Sequence, residues 1–439
     1  MAPGTVPGIH HGPGKVADMR RTLAFAAVAA TAALFAAPAQ AAPAQTAALT
    51  TDKTKAAAGW LAGQAKADGY LESSYVDEQG NTQTFPDAGL TADALLAFNA
   101  AGVAQDNAAK AVTWFGAKAN LDGYVGDGTT ESYGGQLGKL SLALSGQGAD
   151  PKNFGGRDLL KELAALESKE GRYVNKSAWG DYSNVLGQSY GVLAVTKAEG
   201  KAPAKATGYL VESQCTDGGF PQNFGQEKCE SSVDATGVAV QALLGAGRTE
   251  EADAGLAWLL KAQQGSGGFN DGSADLGKHP VNANSTGNAL QALRAGGKTA
   301  AADKALTFLY TLQIGCSGPE AQRGAVTHSG KFTESQAPRA TTGAVLGMAG
   351  TPLLKISSAG ASKAAPKLDC TPAPTPAPTT TPTATPAPTT GAAVPPAENP
   401  ANPGELAKTG AQIGVFLAIG GGLLAVGSLI LVLARRRSA

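Results

Sequence analysis

The chain carries no surplus of either charge: 35 Lys and Arg are matched by 35 Asp and Glu. Such a balance builds no strong field, so neither nucleic acid nor an anionic surface is expected as a partner. Histidine is scarce, four in the whole chain, and only His279 and His328 lie beyond the leader described below. No nucleophile-elbow pattern accompanies His328, which argues against a Ser-His-Asp site. Cysteine is limited to four. In a secreted chain that number suits two disulfides, although four cysteines allow three pairings. Cys215 and Cys229 flank a Gly218-Gly219-Phe220 turn, and closing that loop of about 15 residues contributes roughly 3 kcal/mol if unstrained. Cys316 with Cys370 is then the second pair.

What the chain has in abundance is a repeat. An apolar helix pattern, a Gly-aromatic turn and a second helix rich in Ala, Gly and Leu recur six times between Trp60 and Gly347. The turn aromatics Tyr70, Tyr124, Tyr173, Phe220 and Phe269 are 54, 49, 47 and 49 residues apart, and a sixth, less regular unit follows. Periods near this length mark stacked supersecondary units. Unit five reads Leu256, Ala257, Trp258, Leu259, then Gln263, then Gly267-Gly268-Phe269, with apolar spacings of three and four. Its second helix, through Thr286, Gly287 and Leu290, has Asn284 or Ser285 as its candidate cap. Unit four repeats both halves.

Six hairpins make about twelve helices, none able to bury its apolar face alone. The Ala- and Gly-rich second helices suit a crowded inner ring, and the first helices, with Trp and Phe, an outer one. The expected fold is all-α: an (α/α)6 toroid over residues 52–365. The run of Trp-Leu, Gln and Gly-Gly-Phe in unit five, with Tyr209-Leu210 in place of Trp-Leu in unit four, resembles the repeat of the squalene cyclase and protein prenyltransferase superfamily. That resemblance implies the same toroid over about residues 55–350, a fold also similar to the helical domain of cobalamin carriers, so fold likeness alone does not choose a function.

The chemistry of those enzymes has little to stand on here. Class II terpene cyclases hold a proton on an Asp-x-Asp-Asp run, which this sequence lacks; the nearest equivalent is Asp234, better read as a carboxylate near a helix N-terminus. A prenyltransferase-like zinc set has only an approximate counterpart in Glu227, Cys229 and His279, and Cys229 is better used in a disulfide. Asp271, Ser273 and Asp275 read as a polar turn rather than a calcium loop. No catalytic residue, metal or cofactor is therefore assigned.

More suggestive are aromatic and acidic residues in the connections entering the second helices. Tyr75, Asp87, Glu131, Tyr133, Trp179, Asp181, Tyr182 and Asp234 would gather at one mouth of a closed ring, a composition suited to a sugar face or a small amphipathic ligand. A glycan lyase or hydrolase is the competing reading, with Glu131 and Asp181 as the acid pair.

The only long apolar runs lie near the ends. Arg20 and Arg21 precede an apolar stretch at 23–37 and a small-residue site at Ala39 and Ala41, so residues 1–41 read as an extension and signal peptide, with translation starting at Met19. Residues 366–405 form a Pro/Thr/Ala-rich linker that cannot pack a core and favours an extended, disordered stalk. Residues 406–439 begin with Leu406, Ala407, Lys408, Thr409 and Gly410, continue through an apolar stretch at 413–434 and end in arginines. At about 1.5 Å per residue that stretch crosses a core about 30 Å thick as a transmembrane helix. The layout resembles a Gram-positive sortase substrate, with Ala407 where the motif usually has Pro. The resemblance implies sortase and peptidoglycan as partners and joining of Thr409 to the cell wall. The membrane would be touched only through the C-terminal helix before processing. The expected protein is thus secreted, wall-anchored and ligand-binding rather than catalytic.

Overall fold

The architecture follows from where the repeats hide their small residues. A computed structural model describes residues 48–272 and 279–372, all within the unit Ala47–Ala439. The expected leader, sorting signal and C-terminal transmembrane segment and most of the expected stalk lie outside the described residues, among which no helix is long and apolar enough to cross a membrane.

Six hairpins succeed one another: α1 (Lys53–Ala62) with α2 (Ala88–Ala101); α3 (Gln105–Gly116) and α4 (Lys118–Val125) with α5 (Gly134–Gln147); α6 (Leu159–Ala165) with α7 (Val185–Glu199); α8 (Ala204–Glu212) with α9 (Val233–Gly245); α10 (Thr249–Ala262) with α11 (Ala283–Ala295); and α12 (Thr299–Leu312) with α13 (Ala337–Ala349). Helices α2, α5, α7, α9, α11 and α13 pack each against the next, and α13 packs back on α2, which closes an inner ring. The remaining hairpin helices lie outside it, α1 filling the seam between α13 and α2. Small residues permit the closeness: a Cβ on Gly138 would stand 2.6 Å from the Gly191 nitrogen, and one on Gly287 2.1 Å from the Gly343 oxygen. Sheet is confined to two-stranded ladders made by β1 (Leu49–Thr50), β2 (Glu72–Val76), β3 (Thr82–Pro86), β4 (Ser132–Tyr133), β5 (Asn175–Lys176), β6 (Phe220–Pro221), β7 (Ser231–Ser232) and β8 (Lys367–Leu368).

Two details differ from the sequence reading. Tyr124 sits in the additional helix α4, which continues to Val125, and not in a turn. The cap of α11 is Asn282, whose side chain accepts from the Ser285 nitrogen, so the helix begins at Ala283, ahead of both candidates.

The repeated Gln explains the stacking. Gln214 Nε2 donates to Gly218 O and to Glu251 O of the next outer helix, both at 2.8 Å, and Gln263 does the same to Gly267 O and Ala301 O. Gln313 repeats this across the seam, donating to Gly324 O at 3.1 Å and to Lys53 O at 2.7 Å. The last unit thus bonds to the first as units four and five bond to their successors. The turns are tied inward as well, since Phe220 N and Phe269 N donate to Thr236 Oγ1 and Thr286 Oγ1 at 2.8 and 2.9 Å.

After α13 a strap, residues 350–368, runs back around the C-terminal ends of the inner helices. Gln291 Nε2 donates to Thr351 O, and Leu353 N to Gln241 Oε1. Lys197 Nζ donates to Leu354 O and Ile356 O, Ser358 N to Gly146 O, and Ser362 N to Gly102 O. The strap meets α11, α9, α7, α5 and α2 in turn, buries Leu353 and Ile356, and ends with β8 parallel to β1. Ordered structure therefore continues beyond residue 365. Both expected disulfides form, Cys215–Cys229 and Cys316–Cys370, as suits an oxidising, extracellular compartment.

Candidate functional site

Inner helices begin at the mouth, and their caps place the first polar side chains there. Asp87 caps α2, accepting from Leu90 N at 2.8 Å, and also takes Ser73 Oγ and Arg339 of α13, each at 2.6 Å. Tyr75 lies in the β2–β3 hairpin 6.2 Å from the Phe85 ring, both partly exposed. Tyr133 precedes α5 and donates to Glu131 at 2.5 Å. Burial, reinforced by that carboxylate, pushes the Tyr133 hydroxyl up to about 12. Asp181 accepts from Asn175 N and Ser183 N at 2.9 and 3.0 Å and pairs with Arg172 at 2.8 Å. Burial opposes its ionised form, but these bonds outweigh it and hold the carboxyl below its ordinary range. Trp179 and Tyr182, in the same connection, are 45% and 73% exposed.

The acids proposed as a catalytic pair are thus each engaged locally, Glu131 by Tyr133 and Asp181 by its own loop and Arg172. The ring does gather polar residues that the sequence reading passed over. Lys139 of α5 pairs with Asp93 of α2 at 2.9 Å and stands 5.4 Å from the Tyr190 ring of α7. Burial works against the Lys139 ammonium, yet Asp93 and its neighbours hold its pKa above the usual value. Asn288 of α11 donates to Asp234 of α9 at 3.1 Å. Burial pushes the Asp234 carboxyl up, and Asn288 and Ser285 offset this only in part.

A signal for this set was present. In α2, α5, α9 and α13 the only charged residues are Asp93, Lys139, Asp234 and Arg339 respectively, each in the first half of an otherwise Ala-, Gly- and Leu-rich helix. These positions are partly exposed, whereas about two turns deeper Gln241 and Gln291 are buried at 3% and 2%. The inner helices thus gather a cup of polar side chains near the mouth, at the end away from the strap.

Two surface cavities lie elsewhere. One of about 490 Å³ is lined by Asp68, Lys110 and Trp114 among others, and one of about 300 Å³ by Tyr209, Phe224 and Cys229 among others. Neither is lined by an inner helix. His279 lies 3.5 Å from Asp271, and burial lowers the His328 pKa, with the His279 charge adding to it. Among the described residues no group of three or more His, Cys, Asp or Glu could hold a metal ion; Ser273 and Asp275 lie outside them.

No family model matches this chain, and no curated protein matches it. Its likeness is to solved structures. The type II terpene cyclase MstE from Scytonema is similar at a TM-score of 0.50 and 12% identity, covering 69% of this chain and 97% of that one. An unsaturated glucuronyl hydrolase specific for heparin has a TM-score of 0.49 at 14% identity, covering 68% and 96%. At such identities the cyclase likeness speaks for the α/α toroid alone.

Proposed function

We propose that this protein is secreted, joined to the cell wall through Thr409 by a sortase, and held out on its Pro/Thr stalk so that the toroid mouth binds a glycan or similar polar ligand without terpene chemistry. One observation carries the binding reading. Five of the seven exposed large apolar side chains among the described residues are Tyr75, Val76, Phe85, Trp179 and Tyr182, all in connections that enter inner helices. Aromatic faces held open to water beside carboxylates suit sugar rings, whose C–H faces stack while hydroxyls donate to acids. The inner helices that follow carry the paired polar residues Asp93 and Lys139, and Asp234 and Asn288, poor company for a hydrocarbon chain.

Binding is tested with the purified chain on an array of wall polysaccharides and peptidoglycan fragments. A Trp179→Ala/Tyr182→Ala variant should lose at least tenfold in affinity. Absence of binding to every glycan at millimolar concentration removes the reading. Tethering is tested by fractionating cells expressing Thr409→Ala, which should move from wall to membrane.

A glycan-cleaving enzyme is the second reading, favoured by Asp234, whose raised carboxyl pKa suits proton donation. Asp234→Asn would then abolish turnover while leaving binding intact.

A further inference from the structure

The Cys316–Cys370 disulfide sits where a pull on the C-terminal chain would otherwise undo the ring. Without it, tension at residue 370 falls on β8, held to β1 by Lys367 N to Ala48 O and Asp369 N to Thr50 O, both 2.8 Å. Next come the strap's bonds to Gly102, Gly146, Lys197, Gln241 and Gln291, loaded one after another because each belongs to a different inner helix. Last comes α13, an inner-ring member that carries Arg339 of the cup.

We propose that this disulfide is a mechanical clamp: it carries tension from the C-terminal chain directly to Cys316, so that the strap and α13 stay unloaded. Cys316 is well placed to receive it. Immediately before it, Ile314 is bonded to Ala325 and Gly324 through their backbones, and Gln313 is bonded to Lys53 across the seam. Load therefore enters at a junction of the first and last outer helices. The clamp's use in the cell rests on the wall-tether reading; its mechanics do not. The cystine bridges a separation of 54 residues, and at ~3.3–3.6 Å per extended residue it withholds about 180–190 Å of chain.

Single-molecule force spectroscopy on the full chain tests this. One handle is the C-terminus and the other a short labelled peptide inserted between Gly80 and Asn81, at the exposed tip of the β2–β3 hairpin. The Cys316→Ser/Cys370→Ser variant should lengthen in low-force steps totalling up to about 180–190 Å before the first event of the unaltered chain. A first rupture of unchanged force and length in the variant overturns the clamp.

Should the variant fail to fold, the folded native chain is held below its rupture force and reductant is added. Reduction of Cys215–Cys229, with its separation of 14 residues, releases at most about 50 Å. Extension beyond that supports the clamp, and extension confined to it overturns the clamp. Loss of wall attachment is read separately, by fractionation of Thr409→Ala, so the two readings fail independently.

Discussion

Replacing Gln188 by Leu should be among the most damaging single changes in the domain. The side chain is 1% exposed. Its Oε1 accepts from Tyr173 N at 2.8 Å, and its Nε2 donates to Gly171 O and to Ala206 O of α8, both at 2.9 Å. It does from the inner helix what Gln214, Gln263 and Gln313 do from the ends of outer helices. Leu fills nearly the same volume but strands the Tyr173 N–H and the Gly171 carbonyl, at ~1–3 kcal/mol for each unsatisfied group, while Ala206 O keeps its partner within α8. Together they cost about 4 kcal/mol, a large part of a typical total of ~5–15 kcal/mol. With an unfolding entropy of ~2.1 cal/mol/K per residue over about 300 residues, the midpoint should fall by about 6 °C in calorimetry. Ser189→Ala on the same helix removes only a bond back to Val185 O and should shift it by less than about 1.5 °C. A Gln188→Leu midpoint within about 2 °C of the parent would refute the account of how the units are bonded together.

Other outcomes follow from the same geometry. Gly287→Ala, whose Cβ would stand 2.1 Å from Gly343 O, should cost ~2 kcal/mol or more in chemical denaturation. Gly208→Ala, inside α8 with nothing within 4 Å of the new atom, should instead stabilise by ~0.5–1 kcal/mol. Removing Cys215–Cys229 by a double Ser substitution should cost ~3 kcal/mol, and reductant should then no longer act on that loop. Because burial raises the folded-state pKa of Asp234, its contribution is fully present below the unfolded pKa and is lost as pH rises through the folded one. Asp234→Asn should therefore gain stability relative to the parent as pH rises across that window; a pH-independent difference in denaturation midpoint would show that the carboxyl is not perturbed.

The hairpins and their layers were legible because their causes are local. Apolar spacing in Leu256 to Leu259 defines an outer helix, and the glycines at 138, 191, 287 and 343 mark helices that must approach closely. The Gly-Gly-Phe turns were legible for the same reason, whereas Tyr124, read as a turn residue, lies in helix α4. The number of cysteines allowed three pairings, and the expected pairs, Cys215–Cys229 and Cys316–Cys370, are those that form.

The cup was harder to read. Attention to aromatics and acids in the connections picked out residues that precede the inner helices, but Asp93, Lys139, Tyr190, Asn288 and Arg339 acquire meaning only when different inner helices meet. Sequence also could not show that Glu131 and Asp181 are already engaged, since Asp181 meets Arg172 and the Asn175 backbone only through the folding of its own loop.

The sequence by itself determined what most of the repeats are: two helices, a glycine turn, one crowded face and one bulky one, all set by contacts a few residues apart. Only the tertiary structure decided that six such units close. Closure depends on a small rotation accumulated over every repeat and on bonds between residues far apart in the chain, Gln313 to Lys53 and Trp60 to Ala321. It also decided the course of the strap, whose partners lie at the ends of five helices that become neighbours only in the finished ring.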